Sequence, residues 1–182
     1  MKRRLRPLWV TLHWLMALLV LTTFAIGLLN LTTPTNTDAK IIPLGVHMAL
    51  GIAILLLVIA RFILRVLVFK PSLRPANAKK KILLDQLTPY VHILLYLGTG
   101  LMALLGLAIA LPADLFSIVW GRSGAPLPVS FYIYPARAWH GTLSLLLLIL
   151  IAQHVLVAIF HQFIKGENYL GRMWFNKTEE RK

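Results

Sequence analysis

The sequence predicts an all-α membrane protein, a bundle of four transmembrane helices with both termini in the cytoplasm. Of the 182 residues, 58% are hydrophobic and only 14% are charged, whereas a soluble domain is about half apolar and about a quarter charged. Four apolar segments are long enough for a bilayer core of about 30 Å, which requires about 20 helical residues. Because no shift in composition marks a boundary, residues 1–182 are interpreted as a single domain.

The predicted helices cover residues roughly 8–30, 44–68, 89–111 and 136–163. Hydrocarbon offers the backbone no hydrogen-bond partners, so each apolar segment must be a helix. The basic N-terminus resembles the start of a signal peptide. The apolar segment that follows it is long enough to span and is not followed by a convincing cleavage motif, so we expect a retained first helix. The long third connection, residues 112–135, is rich in aromatic residues and is interpreted either as an interfacial cap or as a lid.

The distribution of lysine and arginine predicts the orientation, because positive residues accumulate on the cytoplasmic side. Three parts of the chain are strongly basic: Lys2, Arg3, Arg4 and Arg6 at the N-terminus, Lys70, Arg74, Lys79, Lys80 and Lys81 in the second connection, and Lys165, Arg172, Lys177, Arg181 and Lys182 at the C-terminus. The other two connections offer only Lys40, Arg122 and Arg137. The net charge of +13 is therefore interpreted as a topology signal, and no nucleic-acid partner is expected.

Histidines are the candidate functional residues. The chain has no cysteine, which excludes disulfides, Cys-ligated zinc and iron–sulfur clusters. All six histidines fall inside predicted spans: His13, His47, His92, His140, His154 and His161. Ionisable groups inside a membrane are costly and usually functional. Hydrogen bonding between helices explains one or two of them, but not six.

Depth along the helices sorts these histidines into pairs. His154 follows His140 by 14 residues, which places it about 21 Å deeper and about 40° from the same helical face. His47 lies near the outer end of its helix, as His140 does, whereas His13 lies near the cytoplasmic end, as His154 does. The sequence therefore predicts two stacked sites, each formed by histidines from two different helices.

The ligand set favours haem over other metals. Imidazole suits zinc, copper, iron and nickel, but zinc requires three or four protein ligands, often including a carboxylate. No carboxylate lies securely within a span. Two neutral nitrogens suit the axial positions of a haem iron, and facing side chains of a helix bundle hold such cofactors. We therefore expect two haems, bound without the thioether links that cysteines would provide.

The inner ligands remain open, because His92 and His161 lie at depths comparable to those of His13 and His154. His161 lies very near the interface, where an imidazole beside the inner haem would be suited to exchanging protons with a quinone. Arg61 follows His47 by 14 residues and has two interpretations. It either faces the inner haem and pairs with a propionate, or extends to the cytoplasmic headgroups.

Small residues suit a flat macrocycle between helices. Gly27 lies 14 residues after His13, at the depth of the outer site, and Gly51 lies one turn from His47. Gly98 and Gly106 interrupt the third helix, where close helix packing is an equally good explanation.

Several short motifs resemble the bacterial cytochrome b561 family of di-haem b membrane proteins. The motifs are LHWL at 12–15, GVHMALG at 45–51 leading to RFILR at 61–65, YVHILLY at 90–96, and WHGT at 139–142 with His154 downstream. The resemblance covers residues 8–175. It implies a multi-pass protein of the bacterial inner membrane, with two b haems on residues matching His13, His47, His140 and His154.

The resemblance also implies a function. One type of member is a superoxide oxidase, which passes electrons from periplasmic superoxide through the haems to ubiquinone, with His161 as a quinone-site candidate. Lys40, Arg122 and Arg137 would attract superoxide, although Asp38 and Asp114 dilute that field. The alternative is a haem-b membrane anchor that serves a partner dehydrogenase or hydrogenase. A haemless channel or transporter with a histidine relay is a third hypothesis.

Overall fold

The computed structural model describes residues 6–68, 83–121, 123–166 and 171. Four long helices account for most of them: α1 Arg6–Asn30, α2 Ile41–Val68, α3 Leu83–Ala110 and α4 Pro135–Ile159, which a π-helical turn, Phe160–Ile164, extends. No strand occurs in these ranges. All four helices are long and apolar enough to cross a membrane. The all-α, four-helix prediction is therefore confirmed.

The predicted start of the third helix is wrong by six residues. The helix begins at Leu83 instead of residue 89, whereas its apolar span begins at Tyr90. Hydropathy alone misses the first turns because Asp85, Gln86 and Thr88 are polar. The basic segment before Arg6, the second connection, Arg122 and most of the C-terminal tail lie outside the described residues, so the predicted orientation stays a prediction.

Side chains along the helices are exposed in a way that suits lipid. Large apolar residues point away from the protein along every helix: Leu29 and Leu67 are both 78% exposed, and Phe163 is 73% exposed. In water such surfaces would drive association, but in hydrocarbon they carry no penalty. The main buried cluster lies at the end of the bundle that holds the first and third connections, called here the outer end. It comprises Leu44, Ile109, Ala110, Ala113, Leu115, Leu127 and Phe131.

The helices pack closely in chain order, α1 against α2, α2 against α3, and α3 against α4. Within the described ranges, backbone contacts of α4 with α1 and with α2 are sparse. The interior between α4 and the first two helices is therefore held open by side chains. This is the space into which the predicted histidine pairs point.

The third connection forms a cap, residues 112–134, over the outer end. A π-helical segment, Phe116–Trp120, lies so close to α2 that a Cβ on Gly45 would be 2.8 Å from Val119. Asn36 joins the first connection to the cap by donating its side-chain amide to the Pro128 carbonyl at 2.8 Å. The cap and the first connection thus cover the outer end of the bundle.

Lys40 is buried beneath this cap and is only 6% exposed. Its ammonium donates hydrogen bonds to the Thr33 carbonyl at 2.6 Å and to Asn36 Oδ1 at 3.1 Å. Burying a charge is tolerated when it is hydrogen-bonded in this way. Lys40 is therefore not a freely exposed cation, because its ammonium holds the first connection together; its part in attracting superoxide stays a prediction.

Two candidate cofactor sites between the helices

The outer site is formed by His47 of α2 and His140 of α4. Their ring centroids lie 6.2 Å apart, with an angle of 65° between the ring planes. The two rings are therefore steeply inclined to each other, with their centres well separated. The predicted pairing of these two histidines by depth agrees with this geometry.

The backbone orients one of the two outer rings. His47 Nδ1 lies 3.1 Å from the Thr23 carbonyl of α1, and a proton on Nδ1 makes this a hydrogen bond donated by the imidazole. That tautomer leaves Nε2 with a lone pair, which is the usual arrangement for a histidine that ligates a metal. His140 Nδ1 is buried near the Met102 backbone, without a hydrogen bond of good geometry in the described part of the chain.

Two glycines lie against the outer rings. A Cβ on Gly27 would be 3.1 Å from His47 Cε1, and a Cβ on Gly106 would be 3.5 Å from His140 Cε1. Gly27 thus lies beside the outer site, where the sequence places it, and Gly106 lies there as well. Gly98 instead packs against Leu147, and the Cβ position of Gly51 meets nothing within 4 Å.

The inner site brings together three histidines. His13 of α1 and His154 of α4 have ring centroids 6.2 Å apart, at an interplanar angle of 64°. His92 of α3 lies nearer to His154, at 5.0 Å and 83°, in an edge-to-face contact. Trp14 makes a second edge contact with the His13 ring at 5.6 Å.

Arg61 faces the interior beside the inner site. Its guanidinium lies 5.6 Å from the centre of the Tyr96 ring and 6.0 Å from that of Trp9. Nη1 donates to the Leu12 carbonyl at 3.4 Å and contacts Met16 Sδ at 3.7 Å, while Nε is buried without a hydrogen-bond partner among the described residues. The guanidinium therefore contacts α1 and α3 inside the bundle, and its pairing with a haem propionate stays a prediction.

His161 is the most completely buried polar residue described, at 1% exposure. It lies in the π-helical turn Phe160–Ile164, and its ring centroid is 5.9 Å from that of Phe160. Single π-helical turns occur often at functional sites. The position near the helix end was expected, but the depth of burial was not.

A haem fits the spacing of both pairs. A metal–imidazole bond of about 2.0 Å plus about 1.1 Å from nitrogen to ring centre would place the centroids of two axial imidazoles about 6.2 Å apart. Both pairs measure 6.2 Å, whereas 5.0 Å between His92 and His154 is too short for an iron between them. No group of three or more His, Cys, Asp or Glu side chains in the described ranges is arranged to hold a metal ion directly. The donor sets therefore suit a macrocycle that supplies the other ligands.

Comparison with protein families agrees with this chemistry. The family model of prokaryotic cytochrome b561 matches residues 4–176. The chain belongs to the prokaryotic cytochrome b561 family. It is accordingly a membrane haem b electron-transfer protein, with several helices spanning the bacterial inner membrane.

Some neighbours of the sites carried no clear signal in the sequence. The Thr23 carbonyl is a backbone group, so no residue type reveals it. The contact of His92 with His154 depends on how α3 and α4 are rotated, which spacing along one helix does not determine. Arg137 carried a partial signal, because it precedes His140 by three residues and therefore lies near the same helical face.

Proposed function

We propose that this chain transfers electrons through two b haems and exchanges them with ubiquinone. His47 and His140 would hold the outer haem, and His13 and His154 the inner one. In its most specific form the reaction is that of a superoxide:ubiquinone oxidoreductase, a superoxide oxidase. The observation that carries the proposal is the repeated 6.2 Å separation of two histidine pairs, each from different helices.

The choice of inner ligands is supported by the rings around His154. Both His92 and His13 are inclined edge-on to His154, but the His92 ring centre lies 5.0 Å from it and the His13 ring centre lies 6.2 Å from it. An imidazole in edge contact orients a ligand without competing for the metal. We therefore assign His92 to positioning His154, and the ligand role to His13.

When bound, a b haem supplies one-electron redox chemistry at its iron. The protein's own residues hold it, exclude water and set the surrounding charge. Arg61 would pair with a propionate of the inner haem through its unpartnered Nε, since a guanidinium binds carboxylates in a two-pronged manner. Its positive charge in a medium of low dielectric constant favours the reduced state.

Quinone would react near His161, at the inner end. Phe160, which contacts His161, also lines an open groove of about 680 Å³ along α4, together with Gln153, Leu156 and Ile164. An apolar groove facing lipid suits an isoprenoid tail. The imidazole of His161 can give or take a proton, which quinone reduction requires.

The proposed overall reaction balances. Two superoxide anions each give up one electron and leave as O₂. One ubiquinone takes up the two electrons and two protons and becomes ubiquinol. Because superoxide does not cross the bilayer readily as an anion, its site belongs at the outer end, and we propose that this end faces the periplasm and both termini face the cytoplasm.

A reduced-minus-oxidised visible spectrum of detergent-purified protein tests the core of the proposal, with haem quantified per chain. We expect a b-type α-band and two haems per chain. One haem would mean that one histidine pair is misassigned. Two haems together with superoxide-driven reduction of ubiquinone by the protein alone would support the oxidase, whereas a requirement for a partner protein would favour the membrane anchor.

The proposed orientation of the chain in the membrane can be tested separately. Green fluorescent protein fused to the C-terminus should fluoresce, and alkaline phosphatase fused there should be inactive, because the tail is predicted to be cytoplasmic. A matched fusion within the 123–130 segment should behave in the opposite way.

A further inference from the structure

Arg137 is a second interior arginine, and it lies at the outer site. It belongs to the first turn of α4, three residues before His140. Residues three apart in a helix lie near the same face, so Arg137 lies about one turn before His140 on that face of α4. Each histidine pair thus has one arginine beside it, Arg61 at the inner pair and Arg137 at the outer pair.

Two neighbours fix the position of the Arg137 guanidinium. Its Cζ lies 5.0 Å from the centre of the Tyr132 ring, a cation–π contact. On another side, Nη1 lies only 2.9 Å from where a Cβ on Gly141 would be. The missing side chain of Gly141 therefore makes the room in which the guanidinium lies along α4.

The guanidinium has no acceptor for its hydrogen bonds in the described part of the chain: the hydrogen bond of Arg137 there is made by its backbone N–H, to the Tyr134 carbonyl. Lys40, the nearby outer cation, differs in this respect, because two oxygen atoms already accept from its ammonium. A half-buried guanidinium with five donors requires an acceptor from elsewhere. Carboxylate and phosphate oxygens are the acceptors whose geometry matches its planar fork.

We infer that Arg137 binds a propionate of the haem held by His47 and His140. This inference rests on the function proposed above and extends it to a residue that positions the outer haem and sets its potential. The same oxyanion chemistry exists in lipid phosphate headgroups. A propionate is favoured because the side chain extends along α4 toward the ligand: Nη1 lies 2.9 Å from the Cβ position of Gly141, the residue that follows His140.

Loss of the positive charge should make the outer haem harder to reduce. Redox titration of detergent-purified Arg137→Gln, followed in the visible spectrum, should show one midpoint potential lowered and the other unchanged. We expect about a tenfold change in the reduction equilibrium, which is about 59 mV for a one-electron couple. Arg61→Gln is the matched control, because it should lower the other potential.

Resonance Raman spectroscopy distinguishes a bond from a nearby charge. The propionate-bending band should shift in Arg137→Gln, and also in Arg137→Lys, which keeps the charge but loses the two-pronged geometry. Gly141→Ala should displace the guanidinium and give a smaller change of the same sign. If Arg137→Gln does not assemble, Arg137→Lys and Gly141→Ala still test the inference.

Unchanged potentials and an unchanged propionate band in the arginine variants would overturn the inference while leaving a two-haem wild type, and so the proposed function, intact. Repeating the measurements after exchange into a neutral, phosphate-free detergent separates the two oxyanion sources. Effects that persist support a propionate, and effects that disappear with the lipid would assign Arg137 to a headgroup and overturn the inference. A wild type with fewer than two haems would instead count against the proposed function.

Discussion

The two histidine pairs share a ring separation of 6.2 Å, but their surroundings differ. The outer pair is bounded by glycine positions and a backbone carbonyl: Gly27 and Gly106 lie against the rings, and the Thr23 carbonyl orients His47. The inner pair is bounded by side chains, with His92 and Trp14 in edge contact with its rings. The outer pocket is therefore shaped by positions that lack a side chain, whereas the inner pocket is shaped by the side chains around it.

This difference implies two kinds of sensitivity. A methyl group added at Gly27 or Gly106 would meet the imidazole rings of the outer pair themselves, and a ring in a closely packed interior has little room to move aside. Near the inner pair, flexible side chains can adjust their positions, but each of them carries a charge or a dipole. We therefore expect a small added side chain to affect haem occupancy more at the outer site than at the inner one.

The largest expected effect is the loss of a haem from the outer pair. His140→Ala removes one axial ligand, and we expect the haem content to fall from two per chain to one, measured as the pyridine haemochrome. His47→Ala should give the same result, because the two ligands act on one iron.

Electron paramagnetic resonance supplies the control for that experiment. The remaining haem should keep the low-spin signal of two axial imidazoles. A five-coordinate, high-spin haem retained in His140→Ala would still identify His140 as a ligand. Two unaltered low-spin haems in both variants would contradict the assignment of the outer pair.

At the inner site, His13 and His92 can be compared, because both lie beside His154. His13→Ala should lose the inner haem, whereas His92→Ala should keep both haems, because the 5.0 Å contact of His92 with His154 leaves no room for an iron. The number of haems per chain again shows which of the two histidines is the ligand. Retention in His13→Ala together with loss in His92→Ala would exchange the roles of the two residues.

Much of this arrangement follows from the sequence, because depth in a membrane helix depends only on residue number. That one coordinate pairs His47 with His140 and His13 with His154, and it brings Gly27 to the outer site. The spacing of residues along a helix does not determine how that helix is rotated about its axis relative to a neighbouring helix. For this reason the edge contact of His92, the placement of Gly106 beside His140 and the inward position of Arg137 needed the structure.

Occupancy of the outer site should also respond to a single methyl group. In Gly27→Ala the new Cβ would lie 3.1 Å from His47 Cε1, and overpacking of this kind costs about 1–3 kcal/mol. We expect weaker retention of the outer haem, measured as the haem lost during gel filtration or heating.

Gly51→Ala is the matched control, since its Cβ would meet nothing within 4 Å. Alanine is favoured over glycine in a helix by about 1 kcal/mol, so this variant should retain both haems and be at least as stable as the wild type. Equal haem loss in the two variants would show that the cost comes from the helix in general, not from the His47 ring.

The smallest expected effect concerns the charge beside the inner pair. In Arg61→Gln the inner haem loses a buried cation, and its midpoint potential should fall by about 60 mV, a tenfold change for one electron. Both haems should remain, since no axial ligand is altered. Arg61→Lys keeps the charge and should restore most of the potential but not the fork geometry. Potentials that stay unchanged in Arg61→Gln would mean that the guanidinium is only a structural contact between α2, Tyr96 and Trp9, and does not set the potential of the inner haem.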